Sequence, residues 1–242
     1  RLLWPSQAYV PHHVQWPGAN THGRNVEYSN WLDADNQNTY SENMARVREF
    51  DPEQAIQGAT QVFWRHGFAD TSLEDIVSET GVSRYGLYGT FGNKKDLLIA
   101  AMRHYEKTMS ELLLSDLKKP DAGRAAIFNY WQAIQEHAQD ESFCDGCLIV
   151  NVAAEVAPHD PDIAAEVHRI FDDHAALFAN AIRNGQAAGD IDPGIDAEGT
   201  GKMLMALCKG LALMARAGAD PVTLGSAVEA ALAILGPANR AG

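Results

Sequence analysis

The chain has few cysteines, no long apolar run and no excess of positive charge, and each shortage excludes a class of protein. Three cysteines among 242 residues are too few for the disulfide framework of a small secreted domain. No apolar run approaches the roughly 20 residues of a membrane helix, and no stretch has the basic-then-apolar pattern of a signal peptide. With 46% apolar residues, the chain can bury a substantial core. We therefore expect a soluble, cytoplasmic, globular protein with no membrane partner.

The charge balance argues against a strongly basic surface. The net charge is −13, of which −2 falls on residues 44–96 and −9 on residues 97–242. Because nucleic-acid binding usually relies on a basic face, any affinity for DNA must depend on specific local contacts. Five cations could form such a local group: Arg46, Arg48, Arg84, Lys94 and Lys95.

Residues 71–98 contain the most informative pattern, two short helices joined at a glycine. Thr71 followed three positions later by Glu74 predicts a capping box at the start of the first helix. Gly81 suits the positive φ angle of the turn that ends it. Ser83 is the expected N-cap of the second helix. The pattern predicts a helix-turn-helix.

The second short helix has an inward and an outward side. Val82 before the cap and Leu87 four residues after it form a hydrophobic staple, which fixes the angle at which the chain enters the helix. The outward side is where a recognition helix presents side chains to the major groove. Four residues fall largely on that side: Arg84, Tyr85, Tyr88 and Thr90.

A longer helix is expected before this pair, with Asp51 as its cap, Pro52 at its first position and Gly67 at its end. With that helix included, residues 51–97 resemble the DNA-binding domain of the tetracycline-repressor (TetR) family. The matching motifs, in order, are Thr-Ser, Asp-Ile, Gly-Val-Ser, and a Tyr, a Phe and a Lys, each separated from the next by two residues.

The resemblance implies an all-α fold with two functional parts. Residues 44–96 would form a three-helix, helix-turn-helix DNA-binding domain, and residues 97–242 a helical ligand-binding and dimerisation domain. Thr71, Tyr88 and Lys94 would contact phosphates, whereas Arg84, Tyr85 and Thr90 would approach bases, with Ser83 at the start of the helix. Gly86 and Gly89 leave little side chain at two positions expected to face outward, so base preference does not follow from the resemblance.

The remaining sequence predicts further helices. They cover about 94–114, 126–137, 146–156, 197–217 and 221–235. A long helix is also expected to begin at the Asp160 cap and to be ended by Gly185 and Gly189. In the helix at 197–217, Lys202, Lys209 and Arg216 are expected on one exposed stripe, and Gly201 and Gly210 permit close helix packing.

By resemblance, the last two helices would pair with their copies in a second subunit, although packing only within their own chain is the alternative. Dimerisation would bring two recognition helices to the half-sites of a palindromic DNA operator. The predicted interface residues are Met203, Leu204, Leu207, Leu211, Met214, Val228 and Leu232.

The family implies a regulatory ligand, here an unknown small-molecule inducer, bound among the C-terminal helices. Pockets between helices are lined mainly by apolar and aromatic side chains with a few polar groups. An ordinary core has the same composition, so both interpretations stay open for each residue. The candidates are Phe128, Trp131, Cys144, Cys147, Asn151, Phe171, His174 and Phe178.

Cys144 and Cys147 form a CxxC close to a predicted helix start, where a thiolate would be stabilised. Packing, a redox or electrophile sensor, and an all-helical thiol redox protein are the alternatives, while a metal site lacks further ligands at suitable spacing. Cys208 is expected in the core. No catalytic motif is present, so we expect neither an enzyme nor a bound cofactor or metal. A helical adaptor whose apparent DNA-binding part binds protein remains a further alternative.

Residues 1–43 differ from the rest of the chain. They contain three of its five tryptophans and show no sustained helical or strand period. We expect irregular, upstream or non-family sequence; a partner-binding tail and a packing arm are the alternatives. Residues 44–48 could form a short basic arm that reaches a minor groove.

Overall fold

The computed structural model describes residues 50–137 and 145–236, and every regular element in those ranges is a helix. In chain order these are α1 Pro52–His66, α2 Leu73–Thr80, α3 Arg84–Phe91, α4 Lys94–Leu113, α5 Arg124–His137, α6 Leu148–Glu155, α7 Pro161–Ala188, α8 Ala197–Arg216 and α9 Pro221–Ile234. The all-α prediction is confirmed. The N-terminal segment 1–43, the basic arm at 44–48 and Cys144 lie outside the described residues.

Helix α1 begins and ends where the sequence indicates. The Asp51 carboxylate accepts a hydrogen bond from the amide two residues later at 2.9 Å, and Pro52 occupies the first turn. Gly67 ends the helix with a φ of 80°, which favours glycine. Helix α1 packs against both α2 and α4, and its buried residues include Thr60 and Trp64 as well as aliphatic side chains.

Helix α2 starts one residue later than its predicted capping box. Ser72 is the N-cap: its hydroxyl accepts from Asp75 N at 3.1 Å, and the Asp75 carboxylate accepts from Ser72 N at 2.7 Å. Thr71 is buried, and its hydroxyl donates to the Gly67 carbonyl at 2.6 Å. The capping box predicted at Thr71 is therefore wrong. Gly81 ends α2 as expected, with a φ of 69°.

Helix α4 connects the head, as we call α1–α3, to the C-terminal half of the chain. Asn93 and Asp96 form a capping box at its start, with hydrogen bonds of 3.0 and 3.1 Å. Leu98 and Met102 are fully buried. The helix contacts α1 and α3 in the head, and α5, α6 and α7 beyond it. The helix predicted at about 94–114 is thus present, and it connects the two parts of the chain.

Helix α7 is the longest in the described ranges. The Asp160 carboxylate accepts from the amides of Asp162 and Ile163 at 3.0 and 3.1 Å. Gly189 ends the helix in the left-handed conformation with a φ of 79°. Gly185 lies inside the helix, so the prediction that it helps to end α7 is wrong. Its lack of a side chain instead leaves room for the loop that follows the helix.

Helices α7 and α8 pack with their backbones close together. A Cβ placed on Gly201 of α8 would lie 2.7 Å from the Ala175 carbonyl oxygen and 2.9 Å from Ala179 N. Gly201 therefore permits the close approach predicted from the sequence. Gly210 has nothing within 4 Å of the same position, so it has no such role within the protomer.

Buried apolar side chains form two clusters. The first joins the head to α4, α6 and the first half of α7. The second joins α5, the second half of α7, α8 and α9. The head therefore contacts α6 directly as well as α4, and α4 and α7 extend from one cluster towards the other.

Candidate DNA-binding surface and polar cluster

Helix α3 lies at the surface of the head and is oriented by the predicted local contacts. Ser83 caps it by accepting from Gly86 N at 3.2 Å. Val82 and Leu87 are buried, as a hydrophobic staple requires. Tyr85 is 80% exposed. The helix therefore presents a large aromatic side chain, with a hydroxyl, to the outside of the molecule.

Arg84 at the start of α3 is exposed, and its guanidinium is paired with the Glu74 carboxylate of α2. An ion pair between exposed side chains contributes little to stability because both charges remain hydrated. The guanidinium can therefore exchange its carboxylate for a phosphate or a base edge. This is suitable chemistry for a DNA contact.

The other α3 residues differ in their orientation. Tyr88 and Thr90 are half-buried, and Tyr88 packs against the first apolar cluster. A Cβ on Gly86 would lie 3.0 Å from the Phe50 ring, whereas nothing lies within 4 Å of that position on Gly89. The expectation that both glycines face outward is therefore confirmed for Gly89 and wrong for Gly86.

Two predicted phosphate contacts are engaged inside the head. Thr71 is 1% exposed, so its side chain cannot reach a phosphate from this conformation. Lys94 Nζ donates to the Phe68 carbonyl at 2.6 Å and lies 4.4 Å from the centre of the Phe68 ring. Burial lowers the pKa of Lys94. Ser72, at the N-terminus of α2, replaces Thr71 as a candidate, and its spacing to Asp75 was a signal that the sequence analysis missed.

Lys95 binds the start of α7. Its Nζ lies 2.7 Å from an Asp162 oxygen and 3.3 Å from an Asp160 oxygen. The hydrogen bond to Asp162 is the main reason that the pKa of Lys95 is raised. Lys95 therefore connects α4 to α7, which differs from the predicted group of cations on the DNA-binding side. The other members of that group, Arg46 and Arg48, lie outside the described residues.

Three aromatic residues proposed for a ligand pocket pack in the second apolar cluster. Trp131 and Phe178 are both 1% exposed, and each ring meets the Tyr130 ring edge-on at 5.1 Å between centroids. Phe128 is half-buried, with the Arg124 guanidinium 4.4 Å from its ring centre. Their observed contacts are those of a packed core.

Cys147 and Asn151 lie at the start of α6. Cys147 is the N-cap residue but makes no side-chain cap hydrogen bond; its half-buried thiol lies near the Tyr105 hydroxyl of α4 and contributes, after burial, to the raised pKa of that phenol. The Asn151 side chain donates to the Asp145 carbonyl at 3.3 Å. Since Cys144 lies outside the described residues, the geometry of the CxxC pair stays a prediction.

Lys209 turns inward, so the prediction that it shares an exposed stripe with Lys202 and Arg216 is wrong. Its Nζ lies 3.1 Å from His174 Nδ1 and 5.8 Å from the centre of the Phe171 ring. Burial, reinforced by the Lys209 charge, lowers the pKa of His174 to about 3. The imidazole is therefore neutral near pH 7, and Nδ1 accepts a hydrogen bond from the ammonium.

Cys208 is half-buried beside Lys209 and faces Tyr130, with 2.6 Å between the sulfur and the phenolic oxygen. Burial raises the pKa of both Tyr105 and Tyr130 well above the usual value, so both phenols are neutral. The polar cluster, contributed by α4 to α8, consists of Tyr105, Tyr130, Cys147, His174, Cys208 and Lys209. The sequence did not predict that its tyrosines and Lys209 belong to this cluster, because a single polar residue on a helix does not indicate whether its side is buried or exposed.

The predicted dimer-interface residues fall into two groups, and four of them require correction. Leu204, Leu211, Val228 and Leu232 are buried in the core of their own protomer, so they are not available to a second subunit. Leu207 is half-buried, and Met203 and Met214 are exposed. The large apolar residues exposed on α8 and α9 are Met203, Leu213, Met214, Val222 and Ile234.

Two family profiles match the chain, and they cover the two parts just described. Residues 55–101, which span α1 to the start of α4, match "Bacterial regulatory proteins, tetR family". Residues 123–231 match "Tetracyclin repressor-like, C-terminal domain". The chain belongs to the TetR family. It is thus a member of a family of DNA-binding transcriptional regulators with a helix-turn-helix.

Individual relatives agree with this assignment. The chain is 28% identical over 193 residues to YezE of Bacillus subtilis, an HTH-type transcriptional regulator, covering 79% of this chain and all of YezE. It is 27% identical over 176 residues to the repressor ComR of Escherichia coli, covering 72% of this chain and 84% of ComR.

A solved structure of a relative contains DNA. A cysteine mutant of the TetR family regulator CifR, complexed with 26-bp double-strand operator DNA, resembles this chain with a TM-score of 0.69 and 26% identity. The match covers 78% of this chain and 98% of the CifR chain.

Across residues 50–137 and 145–236, no helix combines the length and apolar character needed to cross a membrane. The same ranges contain no group of three or more His, Cys, Asp or Glu side chains arranged to hold a metal ion.

Proposed function

We propose that this protein is a ligand-responsive transcriptional repressor that binds a palindromic operator as a homodimer and is released by a small-molecule inducer. The observation that carries the proposal is the exposed face of α3, where Tyr85 is open to solvent and Arg84 is held only by a surface ion pair. A helix presented in this way can enter a major groove. Its proposed contacts are Ser72, Ser83, Arg84, Tyr85, Tyr88, Thr90 and Lys94.

The exposed faces of α8 and α9 support dimerisation. On α8 the exposed positions 203, 206, 210 and 213 recur at helical spacing and carry Met, Ala, Gly and Leu. Val222 and Ile234 are also exposed on α9, which packs against α8. We take this group of large exposed apolar side chains on two neighbouring helices as the dimer interface. Two protomers joined here would present two α3 helices, which need a separation of roughly 34–36 Å or a multiple of it.

The polar cluster is the proposed site of induction. It places a buried ammonium, two phenols and two thiols between five helices, two of which reach the head directly. A ligand that prefers one arrangement of those helices shifts the population of DNA-binding and non-binding states. To change the ratio of DNA-binding to non-binding conformations from 99:1 to 1:99, the ligand must bind the non-binding conformation more tightly by about 5.5 kcal/mol. An electrophile that alkylates the Cys147 thiol is one inducer class compatible with this chemistry.

The test is binding of the purified protein to a palindromic duplex selected from a randomised pool, measured by fluorescence anisotropy over a range of salt concentrations. The thiols are kept reduced in the assay, as they would be in the cytoplasm. We expect specific, salt-dependent binding by a dimer. A thiol redox protein or a protein-binding adaptor would yield no enriched duplex. Sedimentation of a monomer at micromolar concentration would contradict the dimer.

A further inference from the structure

One carboxylate connects the C-terminal half to the loop that leads into the helix-turn-helix. Glu155, the last residue of α6, accepts a hydrogen bond from Phe68 N at 3.0 Å through one oxygen and from Ala69 N at 2.7 Å through the other. These two consecutive amides lie between α1 and α2. The contact spans 86 and 87 positions of sequence, and nothing in the sequence pattern singled Glu155 out.

The loop is shaped to receive this carboxylate. A Cβ on Gly67 would lie 2.8 Å from Glu155 Oε2, so the missing side chain provides the space that the carboxylate occupies. The next residue, Phe68, is held from a second direction, because Lys94 of α4 donates to its carbonyl. Its ring also stacks on the Phe63 ring of α1, with 6.0 Å between centroids.

These contacts differ in kind from the apolar packing around them. Burial of apolar surface is non-directional and fixes the orientation of a rigid body only loosely. Hydrogen bonds from two amides to one carboxylate depend on angle as well as distance, and hydrogen bonds to a charged group are among the stronger ones. Glu155 can therefore define the angle at which the head sits on α6.

We propose that Glu155 is a positioning residue for DNA recognition: its carboxylate sets the orientation of the head, and with it the separation of the two α3 helices in a dimer. This inference rests on the proposed function, because a separation matters only for a two-headed DNA-binding protein. Glu155 itself need not touch DNA. Its loss should affect simultaneous binding of two half-sites and leave the binding of a single half-site intact.

The experiment compares two duplexes and two variants. The first duplex is the palindrome selected by the wild-type protein from a randomised pool, and the second retains one half-site with the other scrambled. Glu155→Gln removes the charge and replaces one accepting oxygen with an amide donor. Glu111→Gln, at an exposed position of α4, removes the same charge elsewhere. Dissociation constants are measured by anisotropy at one fixed salt concentration.

We expect Glu155→Gln to weaken binding to the palindrome by about tenfold to hundredfold, the range that corresponds to losing hydrogen bonds to a charged group. Binding to the half-site duplex and both affinities of Glu111→Gln should stay at wild-type values. Equal weakening on both duplexes, or no weakening on either, would overturn the positioning role. A wild-type protein with no preference for the palindrome would refute the proposed function, a different result from wild-type preference without a Glu155 effect.

A second measurement is independent of DNA. Amide hydrogen exchange at Phe68 and Ala69 should be slow in the wild-type protein and faster in Glu155→Gln, whereas amides in α1 should keep their protection. Fast exchange at both amides in the wild-type protein would show that the carboxylate does not hold the loop and would overturn the proposal. Faster exchange throughout α1 in the variant would do the same, because it would indicate unfolding of the head.

Discussion

Replacing Gly201 with alanine provides a direct test of the packing between α7 and α8. The added methyl group would meet the Ala175 carbonyl oxygen at 2.7 Å and Ala179 N at 2.9 Å. Both are backbone atoms of α7, so a side-chain rotation cannot relieve the contact. The two helices must separate by several tenths of an ångström along part of their length.

Two effects of opposite sign determine the change in the free energy of unfolding. Alanine is favoured over glycine inside a helix by about 1 kcal/mol. Overpacking of a tightly packed contact costs about 1–3 kcal/mol. The same substitution at Gly210, where nothing in the same protomer lies within 4 Å, produces only the first effect within the protomer. We therefore expect Gly201→Ala to be less stable than Gly210→Ala by about 1–3 kcal/mol.

The comparison is made by guanidinium denaturation of both variants at the same protomer concentration, because the stability of the proposed dimer would depend on concentration. For a protein of this size, each kcal/mol corresponds to a shift of about 2–4 °C in the thermal midpoint, which is a second readout. Equal stability of the two variants would refute the conclusion that α7 and α8 are in backbone contact at Gly201.

Three further predictions concern the DNA-binding surface, the dimer and pH. Alanine in place of Arg84 or Tyr85 should weaken operator binding about tenfold, measured by anisotropy, with little change in thermal midpoint because both side chains are exposed. Leu213→Glu should convert the dimer to a folded monomer in sedimentation experiments, because it places a charge on the exposed apolar face. Stability should fall as the pH drops from about 6.5 towards 3, since unfolding allows His174 to take up a proton that burial excludes in the folded state.

Each of these predictions has a matched control. Glu79→Ala, at an exposed position of α2, should leave operator affinity unchanged, and weakening equal to that of Arg84→Ala would indicate a nonspecific effect. Leu112→Glu makes the same change on α4, where Leu112 is 37% exposed; loss of the dimer in both variants would exclude α8 as the specific interface. His174→Gln should flatten the pH dependence, and an unchanged slope would show that other groups cause it.

Much of the head follows from sequence because its information is local. Asp51, Gly67, Gly81 and Ser83 each end or begin a helix through contacts within four residues, and all four do so in the structure. The error at Thr71 is of the same local kind. Thr71 and Ser72 both precede an acidic residue at capping distance, and only tertiary burial of Thr71 decides between them.

The C-terminal half was harder to predict because its faces are set by packing between distant helices. The apolar residues of α8 occur on more than one side, and sequence alone does not say which side faces α7. Leu204 and Leu211 face the protomer core, while Met203 and Leu213 face outward. Lys209 was misplaced for the same reason: a lysine at helical spacing with two exposed cations nevertheless points between helices.

The acidic composition has a structural consequence for how the head would meet DNA. Arg84 is paired with Glu74, and Lys95 with Asp160 and Asp162, while carboxylates near Lys94 oppose the effect of burial on its pKa. A phosphate must replace the Glu74 carboxylate at Arg84, so part of the electrostatic gain is lost in separating an existing pair. Each phosphate contact contributes about 0.9 to the slope of log affinity against log salt. We therefore expect a shallow salt dependence, and a slope comparable to that of a strongly basic regulator would show that cations outside these pairs, such as Arg46 and Arg48, supply the contacts.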